Sequence, residues 1–294
     1  MRIVRFSDGS SPCYGALDDG STRIVGLKGD PLFAAVEPSG RVFELDEVRL
    51  LSPVIPRSKV VGVAGNYSDQ PVPDADRTRP PLFLKANTSV IGPDDPIAIP
   101  AWSDDVVFEG ELAVVIKSLA KDVPVEEAHQ VVLGYTVAND ATARDAVDGG
   151  PWARGKSFDT ACPLGPWITV DPGLDPTDLA IRSTVNGAPA QDGSSADMVW
   201  NVFELVSYAS MAFTLLPGDV VIPGAAPSRP ATASRSRSRG SAPCRTRSCA
   251  HRGSALPAVR RGPLRRGRPR PPPHRGVLRG ARTDYALWCR SQLS

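Results

Sequence analysis

Residues 106–116 read "VVFEGELAVVI", and the reading of this stretch decides the fold. A period of two puts Glu109 and Glu111 on one face of a strand with Val107, Ala113 and Val115. Phe108, Leu112, Val114 and Ile116 take the other face. Both faces are largely apolar, so the strand is expected to be covered on both sides. Two carboxylates side by side in such a place repel each other and lose hydration. A hard divalent cation would remove both penalties. The alternative is an edge strand whose two acids face water, and spacing alone leaves both readings open.

Around this strand the chain reads as β-rich. Residues 1–56 hold short alternating runs ("RIVRF", "TRIVGL", "RVFELDEVRLLSPV") broken by Gly, Asp and Ser, a small β module. The strand "KVVGVAGNY" then leads into a polar, Pro-rich loop, and "LFLKA", "PIAIP" and "LGYTVANDATARD" continue as strands. One helix is predicted over 124–133, with Pro124 in its first turn and Glu126 and Glu127 complementing its dipole. A longer one is predicted over 197–215, capped by Asp197, with Val199, Val202, Val206 and Ala209 or Ser210 on its inner face. The fold class is therefore α+β, with strands dominant.

The chain has 294 residues, 41% of them hydrophobic, enough for a substantial core. No apolar run approaches the ~18 residues of a membrane span. The start, "MRIVRFSDGSSPCYG", carries no apolar signal block. A cytoplasmic protein without a membrane partner is expected. The net charge of +2 conceals two unlike parts. Residues 223–294 contain 17 Arg, no Lys and one Asp, so residues 1–222 hold 17 basic and 31 acidic residues. Of five Cys, only Cys13 and Cys162 lie in that body, too few for a disulfide framework or a thiolate metal site.

Several motifs follow the acidic strand in order: "GYTVANDATARD", "GPWARGKSFDTACPLGPW", "VNGAPAQDGSSADMVW" and "LLPGD". Together with "FEGEL" and the upstream "VVGVAGNYSDQ" and "PPLFLK", they resemble the fumarylacetoacetate hydrolase family over roughly 58–222. The resemblance implies a mixed β-sandwich or roll over 57–222, preceded by the β module, usually as a homodimer. It implies Glu109, Glu111 and Asp140 as metal ligands, with Mg²⁺ or Mn²⁺ as the ion. An all-oxygen set suits those hard cations better than zinc. It also implies that Lys156 in "GKSF" reaches the substrate oxygens. Lys85 in "FLK", Arg144 in "TARD" and Gln191 in "NGAPAQ" would meet a substrate carboxylate or oxo group. Read alone, Asp140 is equally a turn residue, Lys156 a surface lysine and Arg144 the partner of a neighbouring Asp.

The implied substrates are small 2-oxo or 1,3-dioxo carboxylic acids. Acylpyruvate hydrolysis, oxaloacetate-type decarboxylation and keto–enol isomerisation share an enolate, whose charge a cation and Lys156 would stabilise. Hydrolytic members carry "NYxxHxxE". Here Asn66 and Tyr67 are kept, but Gln70 and Pro73 stand where the His and Glu would be. Neither can act as a general base. Val147 likewise replaces a family Gln, and the body's His129 reads as structural. These departures favour isomerase or decarboxylase chemistry over hydrolysis.

The tail departs further. Its "TASRSRSRGSAPCRTRSC" (232–249) suggests an RNA-binding arm, and 17 Arg would bind phosphate strongly. The acidic body offers no basic or aromatic platform beside it, and no nucleic-acid-binding motif is present. Shifting the reading frame with GC-rich codons turns residues 228–249 into "AAGDxVSISIEGIGTLxNPVV", the family's C-terminal signature. Residues 223–294 are therefore read as a displaced frame, disordered as a polypeptide, with the step near codons 222–227 and no nucleic-acid partner.

Overall fold

The computed structural model describes residues 1–18, 20–68, 70 and 72–227, and the backbone of Ala286–Cys289. The N-terminal strands are β1 (Arg2–Ser7), β2 (Cys13–Leu17), β3 (Arg23–Leu27), β4 (Pro38–Glu44) and β5 (Arg49–Leu51). Next come β6 (Val60–Val63), β7 (Leu82–Lys85), β8 (Val90–Ile91), β9 (Val106–Val107), β10 (Gly110–Ile116) and β11 (Val132–Asn139). They are followed by β12 (Thr142–Ala143), helix α1 (Ala153–Lys156), β13 (Cys162–Thr169), β14 (Leu179–Val185) and β15 (Ala188–Ser194). Helix α2 (Val202–Ala212), β16 (Val220–Ile222) and β17 (Ala286–Cys289) complete the set.

Most of the strands join one mixed sheet in the order β4-β3-β2-β1-β13-β11-β10-β16-β6-β7. The link from the N-terminal strands to the rest is β1 against β13, with Arg2 opposite Thr169 and Ile3 opposite Ile168. β16 and β6 run parallel, while β10 is antiparallel to both β11 and β16. β10 is buried at every position. Leu112, Val114 and Ile116 pack with Val61, Tyr135, Val202, Val206 and Leu215. Ala113 and Val115 pack on the opposite face with Ile3, Val60, Ile168 and Val220. The two apolar faces of the sequence thus meet two separate parts of the core. Truncating Leu112 or Ile116 to Ala would cost about 2–5 kcal/mol, since each is fully enclosed.

Four local expectations change. The strand across 106–116 breaks at Phe108–Glu109, where β9 leaves to pair with β12 (Val107 opposite Thr142). The helix expected over 124–133 is a 3₁₀ helix, Val125–Val131, entered from an extended Pro124. The helix expected from Asp197 starts at Val202 instead. Asn201 caps it, accepting from the Phe203 and Glu204 amides, while Glu204 accepts from the Asn201 amide. Asp197 performs the matching reciprocal role for Ser194 one turn earlier. Between them Val199 donates its N–H to the Asn66 carbonyl, and Met198 bridges Tyr67, which keeps this stretch out of the helix. "PIAIP" forms no strand; prolines at both ends limit its ladder bonds.

Residues 228–285 and 290–294 lie outside the described residues, and with them most of the tail and its displaced frame. Within the tail, β17 pairs antiparallel with β14.

Candidate metal centre

The register of β10 on β11 places Gly110 opposite Asn139. Glu111 therefore lies at the start of β10, Asp140 just past the end of β11, and Glu109 at the break between β9 and β10. The break is held from both sides. The Glu109 amide donates to Asn139 Oδ1 (3.0 Å), and the Asp140 amide donates to the Glu109 carbonyl (2.8 Å). One carboxylate oxygen from each of Glu109, Glu111 and Asp140 lies within 4.8 Å of the others. Glu111 and Asp140 are buried, and Glu109 is half-buried.

Two ammonium groups stand on this cluster. Lys156, at the end of α1, donates to Glu109 Oε2 (2.7 Å) and Asp140 Oδ2 (2.5 Å). Lys85, at the end of β7 and 1% exposed, donates to Asp140 Oδ1 (2.5 Å) and more weakly to the Ala141 carbonyl (3.4 Å). The Lys156 ammonium also lies 4.8 Å from the centre of the Phe83 ring. That ring occupies the space over Gly62, where an added Cβ would come within 2.1 Å of it. Glu111 is held from elsewhere, accepting the Gly224 N–H at 2.7 Å. Gly224 has φ of +104°, a conformation a side chain would strain.

Burial dominates the electrostatics. It pushes Glu111 well above the ordinary carboxylate range, and the charges of Asp140 and Glu109 push in the same direction. Glu109 is raised by the same causes, burial first and then Asp140, against the opposing pull of Lys156. Burial alone would lower Lys156, but Asp140 and Glu109 outweigh it and hold the group firmly as an ammonium. Cys162 stays a thiol, pushed up to about 12 by burial. The Tyr67 hydroxyl is buried without a partner among the described residues, and burial and the nearby Glu111 charge keep it protonated. Three mutually repelling carboxylates with an all-oxygen donor set fit a hard divalent cation.

The other candidates fall elsewhere. Arg144 is exposed and makes a two-pronged pair with Asp105 (3.0 Å twice). Gln191 is buried and its amide is turned to the backbone. Its Oε1 accepts from the Gly110 amide (2.8 Å), and its Nε2 donates to the Gly110 (3.3 Å) and Ala226 (3.0 Å) carbonyls. Gln70 and Pro73 belong to the loop after Tyr67. This loop borders a cavity of about 410 Å³ lined by Gly65, Tyr67, Ser68, Val72, Thr78 and Trp200. Arg77 fastens it by pairing with Glu204 (2.7 Å) and stacking on Trp200. Sequence reasoning assigned no role to Asn66, Thr142 or Gly224. Of these only Asn66 carried a signal, as part of the "NY" pair.

Comparison with known proteins agrees with this geometry. Residues 58–248 match the model of the fumarylacetoacetate (FAA) hydrolase C-terminal domain, and residues 1–53 match the Rv2993c-like N-terminal domain. A mitochondrial oxaloacetate tautomerase of Xenopus laevis is 36% identical over 259 residues, covering 77% of this chain and 80% of its own. The crystal structure of a 5-carboxymethyl-2-hydroxymuconate delta-isomerase from Mycobacterium smegmatis superposes with a TM-score of 0.70 at 39% identity, over 76% of this chain and 88% of that one. A maleylpyruvate hydrolase from Sphingobium sp. SYK-6, solved with manganese(II) and pyruvate, gives 0.62 at 26% identity over 77% and 89%. With a family model spanning more than half its length, this chain belongs to the fumarylacetoacetate hydrolase family of enzymes.

Proposed function

We propose that the protein binds one divalent cation, Mg²⁺ or Mn²⁺, through Glu109, Glu111 and Asp140, and interconverts tautomers of a small 2-oxo carboxylic acid such as oxaloacetate. The observation that carries this reading is the convergence of three carboxylates and two lysines on one point, with Gln70 and Pro73 where the family's His–Glu pair would stand. The names of an oxaloacetate tautomerase and a hydroxymuconate isomerase among the relatives support it. The manganese and pyruvate of the maleylpyruvate hydrolase support the choice of ion and substrate class.

When bound, the cation supplies Lewis-acid stabilisation of an enolate oxygen. Lys156 adds a fixed positive charge on the same side, kept charged by Glu109 and Asp140, so its role is electrostatic rather than basic. In this reading Lys85 orients Asp140 from behind, and Gln191 orients the acidic strand. Arg144, paired with Asp105, stands at the rim. Gln70 and Pro73 cannot draw a proton from water, which favours tautomerisation, with decarboxylation as the second outcome of the same enolate, over C–C hydrolysis. Residues 57–222 then carry the catalytic domain, residues 1–56 a β module, and the tail beyond a step near codons 222–227 a displaced frame, in a cytoplasmic homodimer.

The test has two parts. Titrating the full chain with Mn²⁺, followed by the loss of free-ion EPR signal, should show one site that Glu109→Gln or Asp140→Asn removes. Sequencing across codons 215–250 should show a step near 222–227, and the chain with its frame restored should tautomerise oxaloacetate faster than it hydrolyses an acylpyruvate. Undiminished Mn²⁺ binding in either variant would overturn the ligand assignment. Faster hydrolysis would overturn the choice of reaction.

A further inference from the structure

Glu111 is held in place by a backbone amide, and two buried side chains hold that amide. Its carboxylate accepts the Gly224 N–H, in a segment without regular structure after β16. Asn66, 1% exposed, ties that segment to the chain just before α2. Its Nδ2 donates to the Pro223 carbonyl (2.9 Å) and the Trp200 carbonyl (3.0 Å), and its Oδ1 accepts the Trp200 N–H (2.9 Å). Gln191, 3% exposed, grips the same segment further along through the Ala226 carbonyl and grips β10 through both polar groups of Gly110. Ser183 donates to Gln191 Oε1 (2.8 Å), which fixes how its amide is turned.

We propose that Asn66 and Gln191 are positioning residues that staple Pro223–Ala226 to the acidic strand, so that the Gly224 amide presents Glu111 to the cation. The proposal rests on the metal reading above. Neither side chain is hydrogen-bonded to Glu109, Glu111 or Asp140; each bonds backbone groups instead. Asn66 joins the end of β6, the non-helical approach to α2 and the exit from β16. Gln191 joins β15, the start of β10 and the same exit. Gly110 lies between Glu109 and Glu111 in sequence, so Gln191 fixes the peptide that sets their separation. Gly193 leaves room for this approach, since an added Cβ there would come within 2.6 Å of Ala226 Cβ. The segment is thus clamped at both ends, and its middle amide is aimed at one carboxylate.

The experiment compares the full chain with Asn66→Ala and Gln191→Met, using Val206→Ala as a control. Val206 is a core residue of α2, and its truncation lowers stability without touching the segment. Mn²⁺ affinity is measured well below each melting temperature. Residues that orient metal ligands typically contribute 10–100-fold to affinity, so the dissociation constant should rise by about that factor in Asn66→Ala and Gln191→Met. It should be unchanged in Val206→Ala. A second readout needs no metal. Exchange of the Gly224 amide proton, followed by NMR in the metal-free chain, should be about ten-fold or more faster in both positioning variants. Wild-type affinity in both variants, or unchanged Gly224 exchange, overturns the proposal. If the parent chain binds no Mn²⁺ the metal reading fails instead, and the exchange rates still decide whether the staple exists.

Discussion

Replacing Lys85 by Met tests the charge balance at the centre of this structure most directly. Met keeps an unbranched side chain of similar reach in a site where the lysine side chain is 0% exposed and its partner Asp140 is 1% exposed. What it removes is the only ammonium bonded to Asp140 Oδ1 among the described residues. Three carboxylates then face Lys156 alone. Removing one member of a buried ion pair typically costs about 3–5 kcal/mol, because the remaining charge stays desolvated. At about 2–4 °C per kcal/mol for a domain of this size, the metal-free melting temperature should fall by roughly 6–20 °C. Circular dichroism in chelator measures it. Saturating Mn²⁺ should then recover more of the melting temperature in the variant than in the parent, because a cation replaces the missing charge. A metal-free melting temperature within about 2 °C of the parent would refute Lys85 as the counter-charge of Asp140.

Three further outcomes follow from the same cluster. Burial raises the native pKa of Glu111 above the ordinary 4.5 of a glutamate, so the native state keeps that proton to higher pH than the unfolded chain. The stability tied to Glu111 is fully present below 4.5 and is lost as the pH rises through the native pKa. Metal-free Glu111→Gln should therefore melt above the parent at neutral pH, with the difference closing toward pH 4.5; a pH-independent difference would contradict this. Asn201→Ala removes the acceptor for two α2 amides and should cost about 1 kcal/mol in denaturant unfolding while leaving Mn²⁺ affinity unchanged. Restoring a base with Gln70→His and Pro73→Glu in the frame-restored chain should raise acylpyruvate hydrolysis by about 10²–10⁴-fold and change oxaloacetate tautomerisation little. Comparing the two rates in both proteins checks it.

The parts of this fold that were legible in sequence are those fixed by local periodicity. Leu112, Val114 and Ile116 against Ala113 and Val115 announced a strand covered on both faces, and the structure covers it so. The convergence of Glu109 and Glu111 was legible too. Asp140 was legible only through family resemblance, because nothing in "AND" reveals that β11 will end beside the start of β10. Errors arose where a distant residue overrode a local preference. Asp197 is a sound helix cap in isolation, but Asn66, far away in sequence, takes the amides of Val199 and Trp200 out of any helix, so the helix waits for Asn201. The capping pair Asn201–Glu204 was visible in "NVFE" and was the better local signal. The depth of Lys85 was not legible in sequence either: its side chain is 0% exposed, with its ammonium on Asp140.

That placement of Lys85 bears on how the centre works. Three ionised carboxylates and two ammonium groups leave a net charge of −1, in a site where burial already opposes ionisation of Glu109 and Glu111. A divalent cation would reverse the sign to +1, which suits a dianionic 2-oxo acid and the enolate derived from it. With the acids alone, the cluster plus cation would still be negative and would repel the substrate. The lysines thus have a purpose beyond neutralising neighbours. Lys85, enclosed behind Asp140, adjusts the total charge without occupying the approach, while Lys156, nearer the surface and touching both Glu109 and Asp140, can turn toward an arriving oxygen. In the proposed reading, two lysines at unequal depth would let one centre attract a cation first and an anion second.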